Sequence, residues 1–169
     1  MSAILLLYIF LPSLYALNGA LVNTIKSEVR DFVQKELLGQ EDPFLDTSFD
    51  DLQVEEISGG VTNYGFKVFD AKNHKHAVFV KHAKETMKGW KDIQLTSDRL
   101  RLECLGMRAF SRTSAAFIPE VIIFDNEKKY LVVDWLHDYT SLRRCFIEGS
   151  FDAGVARKMG TLMGRSHGI

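Results

Sequence analysis

The sequence predicts an α+β fold, and two observations predict it. Five short runs rich in β-branched and aromatic residues are bounded by turn residues: Leu52–Ile57, Tyr64–Ala71, Ala77–Ala83, Glu120–Asp125 and Lys129–Trp135. Between the third and fourth lies one amphipathic segment, "LTSDRLRLECLGMRAFSR", whose Leu100, Cys104, Met107 and Phe110 fall on a single helical stripe. The order is therefore three strands, one helix, two strands.

Composition bounds the rest. With 169 residues, 46% hydrophobic and 25% charged, the chain can bury one ordinary core and does not read as disordered. A net charge of −1 and a pI of 6.5 give no electrostatic basis for binding nucleic acid or an anionic membrane. Lys72, Lys75, Lys84 and Lys88 are scattered and read as solvated lysines.

The opening "MSAILLLYIFLPSLYALNGA" is apolar from Ala3 to Leu17 apart from Pro12 and Ser13, too short for a membrane span of about 20 residues. It reads either as a signal or targeting segment over residues 1–20, or as a start placed upstream of the protein proper. A second apolar rhythm follows in Val22, Ile25, Val29, Phe32, Val33 and Leu37. Its helical spacing, with Gly39 at the C-cap position, predicts an amphipathic helix within residues 21–40. The polar link "GQEDPFLDTSFDD" then leads into the strands.

The helix between the strands has Thr96, Ser97 and Asp98 as candidate N-caps. After Trp135, "LHDYTSLRRCFIEGS" predicts local helix, and a further helix runs from Phe151 to about Ser166 with Val155, Met159, Leu162 and Met163 as its apolar set.

Neither cysteine has metal-ligand spacing, so Cys104 and Cys145 read as ordinary thiols, and the histidines at 74, 76, 82, 137 and 167 form no metal motif.

"EISGGVTNYGF", Glu56 to Phe66, sets glycines between two strands. It lacks G-x-G-x-x-G spacing and fits a hairpin turn as well as a phosphate-covering loop. Downstream, strand alternation in "AVFVKHA" puts Val78, Val80 and His82 on one face and Phe79 and Lys81 on the other. Lys81 is a lone charge among apolar neighbours. It can be an edge lysine reaching water, or a lysine that needs a partner. Glu103 on the apolar stripe supplies one, since a lone carboxylate there is costly to bury. A glycine turn, a strand lysine and a helix glutamate in that order fit a lysine held by a glutamate and offered to phosphate.

These stretches, together with "IPEVIIFD" and "LRRCFIEG", resemble the kinase-like fold of the aminoglycoside phosphotransferases, most closely the branch acting on methylthioribose. The likeness covers roughly Phe49 to Arg165. It implies a protein-kinase-like N-terminal lobe over residues 48–136, a five-stranded antiparallel sheet with one central helix. A linker and the first helix of a C-terminal lobe follow over 137–169. Implied roles are Gly59, Gly60 and Asn63 in the loop over the nucleotide phosphates, Lys81 contacting them, Glu103 anchoring Lys81, and Asp134, Trp135 and Leu136 meeting adenine. The activity implied is phosphoryl transfer from ATP, with Mg²⁺, to the 1-hydroxyl of 5-methylthioribose. Alternatives are another small alcohol (choline, homoserine or an aminoglycoside) as acceptor, or a non-catalytic nucleotide-binding module.

The resemblance further implies a homodimer and a cytoplasmic location, or an organelle or secretory route if the leader is a true signal. Phe79 stands where relatives carry a smaller residue, which implies a narrower or rearranged adenine pocket. No catalytic-loop His-x-Asp or metal-binding Asp occurs before Ile169, so no catalytic residue is assigned and the chain is expected to be inactive by itself.

Overall fold

The computed structural model describes residues 19–38, 51–57, 60–88, 90–137 and 139–167. Gly59, Gly39 with its expected cap, and nearly all of the leader lie outside them.

The first helix, α1 (residues 19–33), ends in a π-helical turn, Gln34–Leu38. Strands β1 (Leu52–Glu56), β2 (Tyr64–Asp70) and β3 (Ala77–His82) follow. Next come a small hairpin of β4 (Thr86–Met87) and β5 (Trp90–Gln94), and helix α2 (Asp98–Ser114), which runs into a single 3₁₀ turn. Strands β6 (Val121–Asp125) and β7 (Tyr130–Asp134) complete the sheet, and α3 (Leu142–Ile147) and α4 (Ala153–His167) close the described chain.

The five long strands form one sheet in the order β1-β2-β3-β7-β6, every neighbour antiparallel. The excursion through the hairpin and α2 returns β7 beside β3, so the sheet's centre is built from strands distant in sequence.

Both faces of the sheet are covered. On one, Ile25, Val29, Phe32, Val33 and Leu37 of the first helical segment pack onto Tyr64, Phe66, Val68, Val78, Val80 and Val132. On the other, Leu100 and Cys104 of α2 pack onto Leu131 and Val133, with Phe79, Met107 and Val121 alongside. This accounts for the continuous apolar run of β7, whose Tyr130 to Val133 are all buried, since a strand covered on both sides has no polar face to present. It also extends the expectation of one central helix, because α1 shares a core with the sheet.

Two boundaries shift for local reasons. Lys129, expected to open the last strand, has φ 60° and belongs to the turn before it. There the Asp125 side chain accepts hydrogen bonds from the Glu127 and Lys128 amides. Ser97 precedes α2 without a side-chain cap, and Thr96 Oγ1 accepts from the Asp98 amide instead. The α2 stripe is graded, with Leu100 and Cys104 buried and Phe110 exposed. Among the described residues no helix is long and apolar enough to cross a membrane.

Candidate functional site

The alternation of β3 sends Val78, Val80 and His82 into the α1 face, as expected, and leaves Phe79 and Lys81 half-buried on the α2 face. Lys81 Nζ forms an ion pair with the Glu103 carboxylate, joining β3 to the middle of α2. Both side chains keep roughly a quarter to a third of their surface open, 26% and 30%. The ammonium is thus oriented by its partner and still accessible to a ligand.

Beside it lies the β1–β2 turn. The strands are in hairpin register, Glu56 opposite Phe66, and the Ile57 amide donates to the Gly65 carbonyl at 2.9 Å. A cavity of about 160 Å³ opens between turn and sheet, lined among others by Gly60, Thr62, Asn63, Gly65, Phe79 and Lys81. Gly60 leaves little room for a side chain, since a Cβ there would stand 3.1 Å from the Asn63 carbonyl oxygen and the turn backbone would have to give by a few tenths of an ångström. Gly65 pairs directly with Lys81 across the strands, and a Cβ on it would meet the Phe79 ring at 2.9 Å. The Phe79 ring therefore rests on the bare backbone of Gly65 and forms one wall of the cavity.

The turn is gripped from two directions. Arg99, in the first turn of α2, donates from Nε to Asn63 Oδ1 at 2.8 Å and from Nη2 to the Thr62 and Lys84 carbonyls at 2.9 and 2.8 Å. From the β4–β5 hairpin, the Lys88 amide donates to the Val61 carbonyl at 3.1 Å, and its ammonium pairs with Glu56 and lies 5.3 Å from the Tyr64 ring centre. This corrects the reading of Lys88 as a solvated lysine: its side chain is only 22% exposed. Lys72 and Lys84 are likewise paired, with Asp51 and Glu28, but at the surface.

Of the sequence-derived site residues, Gly60, Asn63 and Lys81 converge on one cavity and Glu103 stands behind Lys81. Asp134, Trp135 and Leu136 sit at the far end of β7. The Asp134 amide donates to the Glu120 carbonyl at 2.9 Å, and Leu136 is exposed. Trp135 reaches toward the cavity through Phe79, the ring centres 6.3 Å apart.

Arg99, Lys88 and Glu56 escaped the sequence reading. A signal existed for Arg99, which is four residues before Glu103 and so on the same helix face; for the Lys88–Glu56 pair there was none. Cys104 is a core thiol whose pKa is pushed up mainly by burial. Both cysteines are unpaired. Among the described residues no three or more His, Cys, Asp or Glu gather where they could hold a metal.

No family model matches this chain. Over 118 residues it is 26% identical to a methylthioribose kinase of Bacillus velezensis. The chain is similar to that kinase. The match covers 68% of this chain and 29% of the relative, so the chain corresponds to less than a third of the kinase's length. At 26% identity the likeness suggests a kinase-like family.

Proposed function

We propose that this chain forms the nucleotide-holding part of an ATP-dependent small-molecule kinase, with residues 48–136 as its N-terminal lobe. The observation that carries the proposal is the accessible Lys81–Glu103 pair set beside the glycine turn. Glu103 fixes the ammonium, and Lys81 presents it to the phosphates of ATP, where it offsets negative charge. Gly60, with Gly59, lets backbone amides approach the same phosphates, and Asn63 holds the turn's return. The backbone of Asp134 to Leu136 meets adenine, on a platform narrowed by Phe79.

The acceptor we assign is the 1-hydroxyl of 5-methylthioribose, supported by the likeness to the Bacillus kinase. ATP carries the transferable phosphoryl group. Among the described residues no three or more His, Cys, Asp or Glu gather to hold the Mg²⁺ that such transfer uses.

Isothermal titration with ATP tests the nucleotide site. Saturable binding that weakens at least about tenfold in Lys81→Ala is expected, and equal binding by both proteins would overturn the proposal. For the acceptor, the protein from its native source, assayed on 5-methylthioribose, choline, homoserine and an aminoglycoside, is expected to phosphorylate the first alone. Turnover of another alcohol would replace it.

A further inference from the structure

Arg99 makes four hydrogen bonds, adding to those on Asn63, Thr62 and Lys84 one from Nη1 to the Thr96 carbonyl at 2.5 Å. A guanidinium has five N–H donors in a rigid planar fork, so this side chain is nearly saturated by groups from three separate segments. Two of the acceptors belong to the β1–β2 turn, one to the segment leaving β3, and one to the entrance of α2.

The helix that carries Arg99 also carries Glu103 one turn later. Residues four apart stand one above the other on a helix, so one face of α2 grips the turn with Arg99 and Lys81 with Glu103. Leu100 and Cys104, each adjacent in sequence to one of these, are buried against the sheet and fix the position of that face. Any displacement of α2 must shift the turn and the Lys81 ammonium together.

We propose that Arg99 is a positioning residue that sets the β1–β2 turn at a fixed height over the Lys81 ammonium, so that turn amides and ammonium address one polyphosphate. This rests on the nucleotide-site reading above and adds the element that assembles the site. Lys88 steadies the outer side of the same turn, but from the β4–β5 hairpin and not from the helix that carries Glu103. Arg99 alone of the two couples the turn to the ion pair.

The test compares wild type, Arg99→Ala and Arg99→Lys by amide hydrogen exchange without ligand and by titration with ATP and with adenosine. Arg99→Ala is expected to speed exchange at residues 60–65 at least about tenfold while β3 stays protected, and to weaken ATP about tenfold or more with adenosine affinity unchanged. Arg99→Lys restores only part of either effect, because an ammonium cannot reproduce the fork. A purely structural role would lower protection throughout and weaken both ligands alike, and that result overturns the proposal. Unchanged exchange in the turn also overturns it, as does wild-type ATP affinity in Arg99→Ala alongside lost affinity in Lys81→Ala. If Lys81→Ala binds ATP like wild type, the nucleotide-site reading itself has failed, and the role of Arg99 falls with it.

Discussion

Lys81 and Glu103, 22 residues apart in sequence, meet as an ion pair that joins the central strand β3 to α2. Because the pair is partly solvated, its contribution to stability is small, on the order of 1 kcal/mol or less. Its value lies in where it holds the ammonium. Glu103→Gln is therefore expected to leave the melting temperature within a few degrees of wild type while weakening ATP several-fold. A thermal melt beside a nucleotide titration separates the two effects, and a large loss of stability with unchanged affinity would make the pair structural.

Gly65 is bare because the Phe79 ring occupies the space where a Cβ would stand, 2.9 Å from the ring's tip. Gly65→Ala must shift the tip of that half-buried ring, at a cost of no more than about 1 kcal/mol because the ring borders a cavity and can give. Placing Ala at position 65 in a Phe79→Ala background should cost less than in wild type, since the obstructing atoms are gone. Denaturant melts of the four proteins of this double-mutant cycle check the coupling, and strict additivity would show that the ring does not limit position 65.

Strands β2 and β3 and helix α2 were legible in the sequence because each buries an apolar set with a clear period, and β7 because its apolar run is continuous. The β4–β5 hairpin was not. Its strands are short, Thr86–Met87 and Trp90–Gln94, and its lysines disguise Lys88 as surface. Lys81 and Glu103 could be paired in advance because each was a lone charge on an apolar pattern. Arg99 shares a helix face with Glu103, but it sits at a helix start among other polar residues, where that spacing alone does not single it out. Its partners are mostly backbone carbonyls, which leave no trace in side-chain identity.

His82 predicts how the fold responds to acid. It lies on the α1 face, stacked on Tyr130 with ring centres 4.3 Å apart, and Tyr130 stacks in turn on Phe32 at the same spacing. Its pKa is lowered from 6.5 to about 4, first by burial and then by Lys84, against the opposing pull of the Lys129 carbonyl and Glu28. Between those values the unfolded chain binds more protons than the folded one. Stability is therefore full above pH 6.5 and falls as pH drops toward 4, by about 3 kcal/mol in total from this group. Denaturant melts across this range should show that slope, and His82→Phe, which keeps the stack and removes the titration, should flatten it. An unchanged slope in His82→Phe would assign the acid sensitivity elsewhere.

Phe32 measures how far α1 belongs to the sheet's core. Its ring is 5% exposed and joins Val29, Val33 and the strand residues in one cluster. Phe32→Ala is expected to cost about 3–5 kcal/mol in an equilibrium melt, the ordinary loss for a buried aromatic ring. A cost below about 1 kcal/mol would mean that α1 is a detachable appendage.

On the proposed nucleotide site, Lys81 faces the phosphates of ATP. An acyl phosphate of ATP probes that placement, because such a reagent transfers its acyl group to a lysine amine lying against the bound phosphates and releases ATP. Peptide mapping is predicted to find the acyl group on Lys81, with labelling suppressed by excess ATP. Acylation distributed over exposed lysines such as Lys72, indifferent to ATP and sparing Lys81, would place the phosphates elsewhere.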